Sequence, residues 1–262
     1  MLGWSINLFR IRGIQLAVHF SFFLLLAYVA DAGWRDAGMP GLLWSVATLL
    51  VFFTCVVLHE LGHSFTAMHF GIGVRRILLM PIGGMAEFEG IPRQPSRELL
   101  ITLAGPAVNF VIAGGLWTIV GLPEGWRLFS FVDFPENATG FAQLVMHWNL
   151  LVGLFNLVPV FPMDGGRIFR ALLATRLPYI QATIWAAGVG KVLAVVAALA
   201  ALFVWDRPLT AVLFIFIFFA GDAELRAAKR REREDAEWRD LLARAYALQR
   251  PPPLEEPPFL PR

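Results

Sequence analysis

The 262-residue chain has one cysteine, Cys55, and only 16% charged residues, and both scarcities restrict what it can do. One cysteine excludes an intramolecular disulfide and every Cys-rich zinc ribbon, so any bound metal rests mainly on His, Asp or Glu. Soluble domains carry about 25% charged residues, and 57% of this chain is hydrophobic, so most of its length is not a soluble domain. The few charges are uneven: residues 222–262 hold 18 of the 42, nine of each sign. The composition therefore divides the chain at Gly221 into a membrane domain, 1–221, and a charged cytoplasmic tail, 222–262. The net charge of +2 comes with no basic block, so nucleic acid is not a partner. No basic, apolar and small-residue series ending in a cleavage site opens the chain, and its first apolar run reads as a retained membrane segment.

A hydrocarbon core about 30 Å thick needs about 20 apolar residues per helix. Apolar runs near 14–30, 42–69, 98–121, 140–162, 184–205 and 208–221 predict six spans. Ahead of the first helix, Arg10 to Val18 partly alternates, with Ile14, Leu16 and Val18 spaced as on one face of a strand. Lys and Arg alternate in number between the spans. Arg10 and Arg12 are followed by Arg35 alone, then by Arg75, Arg76, Arg93 and Arg97, then by Arg127 alone. Arg167, Arg170 and Arg176 come next, then Arg207 alone, then the nine basic residues of the tail. By the positive-inside rule this places both termini in the cytoplasm. Lys191 is the basic residue within a span, close enough to a cytoplasmic end to snorkel. No internal repeat of the transporter kind is present.

The second span contains Leu58-His59-Glu60-Leu61-Gly62-His63. At about 100° per residue, His63 lies about 40° from His59 and one turn along, so both imidazoles reach one metal ion. Glu60 lies about 100° from His59 and about 60° from His63, beside the metal, where a carboxylate can take a proton from water. A charged side chain at mid-span costs about 2.5–3.5 kcal/mol, so a turn bearing His, Glu and His needs a partner such as a metal. A catalytic zinc site also wants a third protein ligand. His63 and His59 lie about 10 and 16 Å from the cytoplasmic end of their span at Phe70. Asp164, at the cytoplasmic end of the fourth span, matches that depth, and on depth alone His19 remains an alternative. The segment Asn156 to Gly166 holds Pro159, Pro162, Gly165 and Gly166, so its backbone leaves the regular helix. Broken backbone at membrane depth lines a cavity, which lets Asp164 fold back toward the metal.

These residues resemble the site-2 protease family of intramembrane zinc metalloproteases, in its compact branch without a PDZ insertion. His59 to His63 resembles the family's zinc helix, Gly105-Pro106-Ala107-Val108-Asn109 its third-helix motif, and Asn156 to Gly165 its Asn-Pro-Asp-Gly region. The resemblance runs from about Gly13 to Leu173. It implies one Zn2+ per chain on His59, His63 and Asp164, Glu60 as general base and acid, and Asn156 orienting substrate or stabilising the oxyanion. Pro81-Ile82-Gly83-Gly84-Met85-Ala86-Glu87-Phe88 resembles the family's membrane-re-entrant strand, which pairs with substrate. The implied role is regulated intramembrane proteolysis, in which a membrane-tethered regulator is released.

Plainer readings compete at several positions. Asn156 can satisfy freed backbone groups of its broken helix. Gly105, Pro106 and Asn109 read as close helix packing and a kink, with substrate contact the alternative. Cys55 reads as small core filler, one turn before His59 on the same face. His19 and His147 read as interhelical hydrogen bonders, or as parts of a gate or proton relay. In the tail, Trp238, Leu241, Leu242, Ala245 and Tyr246 share one helical face that docks on the membrane, on a regulatory partner or on the protein's own loops. The prolines from Pro251 to Pro261 make an extended, solvated end. The sequence thus predicts an all-α polytopic membrane protein of a bacterial or archaeal cell membrane, with about six transmembrane helices and a small membrane-associated β element. It acts as a zinc endopeptidase on transmembrane substrates in the lipid bilayer. The rival function is a metal transporter or metal-binding protein using the same residues without hydrolysis.

Overall fold

The computed structural model describes residues 4–90, 94–122 and 137–249. Arg93, Arg127 and the prolines from Pro251 onward lie outside these residues. The element order is β1 (Ser5–Ile11), β2 (Ile14–His19), α1 (Phe20–His69), β3 (Val74–Met80), β4 (Gly83–Phe88) and α2 (Pro95–Val120). It continues with α3 (Ala138–Asn156), α4 (Asp164–Ala174), α5 (Tyr179–Phe203) and α6 (Pro208–Gln249). The protein is therefore mostly helical with one small sheet, as expected.

Five helices, α1, α2, α3, α5 and α6, are long and apolar enough to cross a membrane. They hold six apolar runs because α1 doubles back at Ala37 and Gly38, where φ/ψ leave the helical region (φ −138, ψ 22 and φ 63, ψ −140). Phe22 and Phe53 show the fold-back: a straight helix would hold them about 46 Å apart, yet their ring centroids are 4.8 Å apart. The arms also close at Gly33, where a Cβ would stand 2.5 Å from the Gly41 carbonyl oxygen. The first run does not begin as a helix. Residues 14–19 form β2, and the alternating Ile14, Leu16 and Val18 are all buried.

The four strands form one sheet in the order β1-β2-β3-β4. The β1/β2 and β3/β4 pairs are antiparallel, and β2 and β3 are parallel, with Leu16 opposite Ile77 and Val18 opposite Leu79. Parallel neighbours need a long crossover, and α1 supplies it. The sheet packs Ile14, Leu16, Val18, Ile77 and Leu79 against Phe22, Phe53, Val56 and Leu61 of α1. Strand β4 is an edge strand lying against the second arm of α1.

Lipid tails are as apolar as leucine, so helices in a bilayer associate through close packing of small residues. Helix α5 follows this rule, with Ala182, Ala186, Gly190 and Ala194 buried at four-residue spacing. A Cβ on Gly190 would come within 3.3 Å of Val160 Cα, so the bend between α3 and α4 rests directly on α5. The outward faces of α5 and α6, including Val192, Val196, Phe203, Leu209, Val212 and Phe219, are apolar and exposed, as a bilayer solvent requires. Helix α6 runs without a break through Gly221, so the last apolar run and the charged tail share one helix. Lys191 pairs with Asp222, the first residue of the charged tail, and lies 5.4 Å from the Phe218 ring centroid.

Candidate metal centre

Three elements build the site. The second arm of α1 presents His59 and His63 on one face, and α2 crosses that arm closely. A Cβ on Gly62 would stand 2.7 Å from the Ala104 carbonyl oxygen, so this glycine sets how near the helices come. At this approach α2 takes hold of both imidazoles from behind. His59 Nδ1 lies 2.6 Å from Asn109 Oδ1, and His63 Nδ1 lies 2.7 Å from the Ile101 carbonyl oxygen. Asn109 is oriented in turn, because its Nδ2 donates to Asn149 Oδ1 at 2.8 Å and Asn149 Nδ2 donates to the Val145 carbonyl oxygen. The Ile101 carbonyl can only accept, and the amide chain presents Asn109 Oδ1 as an acceptor. Each Nδ1 therefore carries the proton, and each Nε2 turns a lone pair toward the other helix elements.

The third element is the bend after α3. The chain leaves the helix at Leu157, passes a cis peptide at Phe161-Pro162 and begins α4 at Asp164. Gly165 and Gly166 let the bend fold onto the start of α4, since a Cβ on either would overlap backbone atoms of residues 157–161. This swings Asp164 Oδ2 to 3.2 Å from both His59 Nε2 and His63 Nε2, which are themselves 3.0 Å apart. All three residues are buried.

Asp164 Oδ2 is buried with no hydrogen-bond donor, facing two imidazole lone pairs. Three acceptors in contact repel one another unless a cation lies between them. Tetrahedral bonds of about 2.0–2.1 Å hold donor atoms about 3.3 Å apart, so the observed spacing fits a divalent ion of zinc's size. The expected ligand set is thus brought together, and the alternative, His19, is placed elsewhere. His19 caps α1, with its Nδ1 accepting from the Ser21 backbone N–H at 3.2 Å.

Glu60 stays out of the triangle and leans toward β4. A Cβ on Gly84 would stand 2.7 Å from Glu60 Cγ, so the edge strand presses on this carboxylate's stem. Asn156 ends α3, half-buried, and its Nδ2 donates to the Val152 carbonyl oxygen at 3.0 Å. Cys55 receives a hydrogen bond from Asn149 Nδ2 at 3.3 Å, behind the histidines. Two residues read from sequence as packing, Gly105 and Asn109, belong to the site. A Cβ on Gly105 would overlap the His63 ring and stand 2.7 Å from His59 Nε2. The signal for both was their position in the third-helix motif, which does not say what they face.

Fold and site together define a polytopic membrane protein with a buried His-His-Asp centre beside the last strand of the sheet. Residues 47–146 and 134–197 match the family model described as peptidase family M50, and the chain belongs to that family, as the resemblance to site-2 proteases implied. It is 37% identical over 228 residues to a zinc metalloprotease of Methanocaldococcus jannaschii, covering 87% of this chain and 62% of the relative. It is 27% identical over 164 residues to stage IV sporulation protein FB of Bacillus subtilis, covering 61% of this chain and 51% of that protein. The chain therefore spans less than two thirds of the length of these curated relatives. Among solved structures it resembles the site-2 protease from Methanocaldococcus jannaschii, with a TM-score of 0.60 and 33% identity over 85% of this chain and 95% of that one.

Proposed function

We propose that the protein is a zinc-dependent intramembrane endopeptidase that cuts membrane-spanning or membrane-associated segments of other proteins. The observation that carries this reading is the meeting of His59 Nε2, His63 Nε2 and Asp164 Oδ2 at 3.0–3.2 Å, with both Nδ1 atoms already engaged. Family membership and the zinc metalloprotease relative support zinc as the ion, one per chain. Bound there, zinc supplies Lewis-acid polarisation of a carbonyl and acidifies water.

The protein's own groups do the rest. Glu60 takes the proton from the attacking water and delivers it to the leaving amine, a role served by a carboxylate next to the donors but outside them. A transmembrane helix hides its peptide bonds in its own hydrogen bonds, so the substrate must unwind before attack. The free edge of β4 replaces the lost backbone bonds by strand addition, and Gly84 brings that edge against Glu60. Asn156 orients the substrate or stabilises the oxyanion, for which its amide leaves the Val152 carbonyl. The biological product is a regulator released from the membrane of a prokaryotic cell. Both termini face the cytoplasm, in keeping with the alternation of basic residues. A regulatory partner binds the 222–262 tail, where Trp238, Leu241, Leu242 and Tyr246 are exposed along α6.

The test is proteolysis of a panel of labelled single-span helices by the purified full chain in detergent, with zinc content measured alongside. Cleavage by the wild type and none by Glu60→Gln, with about one zinc per chain retained in both, is the expected result. A folded wild type that binds no metal overturns the reading. Metal transport altered by Glu60→Gln, with no cleavage of any helix, would favour the transporter.

A further inference from the structure

Arg170 is a buried cation the chemistry above does not use. It lies on α4, six residues after Asp164, and its side chain is 2% exposed. Its Nε and Nη2 donate to Glu98 Oε1 at 3.0 and 2.5 Å, and its Nη1 donates to Glu224 Oε1 of α6 at 2.8 Å. The guanidinium carbon also lies 5.2 Å from the Phe161 ring centroid and 5.0 Å from that of Tyr179.

These partners sit around the metal centre in a specific way. Glu98 lies on α2, three residues before Ile101, and α2 is the helix that orients both histidines through Ile101, Gly105 and Asn109. Phe161 is fully buried in the bend, three residues before Asp164. Arg170 therefore grips the bend on one side of Asp164, starts from the helix on its other side, and ties that helix to the one that aims the imidazoles. Among the described residues, the Arg170–Glu98 pair is the one ion pair joining α2 to α4.

A buried ion pair is a poor general stabiliser, because the cost of removing both charges from water offsets their attraction, and an apolar pair of equal volume holds helices together as well. What a charged, hydrogen-bonded pair adds is direction and distance. We propose that Arg170 is a positioning residue which, through Glu98 and Phe161, sets the distance of Asp164 from His59 and His63. This inference rests on the reading of those three residues as metal ligands.

The experiment measures zinc affinity of the full chain in detergent by competition with a chromophoric chelator, for wild type, Arg170→Gln, Glu98→Gln and the double variant. Cobalt(II) in place of zinc reports the donor geometry through its visible absorption, and unfolding of the metal-free protein reports stability. Each single variant is expected to bind zinc about 10- to 100-fold more weakly, as outer partners of metal sites commonly do. The cobalt spectrum changes with it, the double variant is no weaker than either single one because the pair acts as a unit, and Arg170→Lys recovers part of the loss. If Arg170→Gln fails to fold, Glu98→Gln and the neutral double variant carry the same comparison. Variants that unfold at lower temperature yet keep wild-type zinc affinity and cobalt spectrum overturn the positioning role alone. A wild type that binds neither metal overturns the ligand reading and this inference with it.

Discussion

Gly105 of α2 stands against the Nε2–Cε1 edge of the His63 imidazole, so close that a single added carbon would overlap the ring and crowd His59 Nε2 as well. The helix thus supplies a bare backbone surface close to both Nε2 atoms, while Ile101 and Asn109 fix the rotation of the rings. Gly105→Ala is expected to abolish stoichiometric zinc binding, measured by metal analysis after gel filtration. Gly115→Ala on the same helix meets nothing within 4 Å. It should keep its zinc and, by replacing a helical glycine, gain up to about 1 kcal/mol in stability.

Asn109 fixes the tautomer of His59 from one side and is itself fixed by Asn149 on the other. Asn109→Leu removes the acceptor, so zinc affinity should fall about 10- to 100-fold. Asn149→Leu leaves Asn109 beside His59 and should cost less. Chelator competition on the two variants checks the order, and equal losses would contradict it.

The contact of Gly84 with the stem of Glu60 allows the proposed base to be disturbed without touching the three donors. Gly84→Val sets its Cβ 2.7 Å from Glu60 Cγ and 3.1 Å from Val56 Cγ1, closer than either contact allows. The variant should retain about one zinc per chain while cleavage falls about 100-fold or more, the scale of losing a general base. Zinc content and cleavage rate measured on one preparation decide it, and loss of both together would show that β4 supports the metal site instead.

Zinc should also stabilise the folded chain. At a free concentration 100 times its dissociation constant, a ligand of the folded state alone contributes about 2.7 kcal/mol. Added zinc is expected to raise the unfolding temperature of the wild type in detergent and to leave His59→Ala and Asp164→Ala unmoved.

The parts of the site that follow from local geometry were legible in the sequence. His59 and His63 share a face because four residues nearly complete a helical turn, and the prolines and glycines around Asp164 break the helix so that it can turn back. Ile14, Leu16 and Val18 showed a strand by their alternation, although the apolar run around them read as the start of a span. Partners chosen between helices were not legible. Asn109 meets His59 across 50 residues, and Glu98, next in sequence to Arg97, is buried against Arg170 from 72 residues away. In helices that are apolar on nearly every side, periodicity does not say which face turns inward. The few polar residues therefore find their partners only once helix rotation and crossing are set. The fold-back of α1 was legible in part, since the break between two apolar runs contains Gly38 and Pro40, but the contact of Phe22 with Phe53 was not.

The order of the elements also divides the centre in time. His59, Glu60, His63 and the β4 edge all lie within the first 88 residues, on one arm of α1 and the hairpin that follows it. Asp164 comes 101 residues after His63, about 5–20 s later at ordinary rates of synthesis. Until then the emerging chain has Glu60 and strand β4 but only two of the three donors. A chain cut short before the bend would carry Glu60, strand β4 and both imidazoles and lack the carboxylate that completes the donor set.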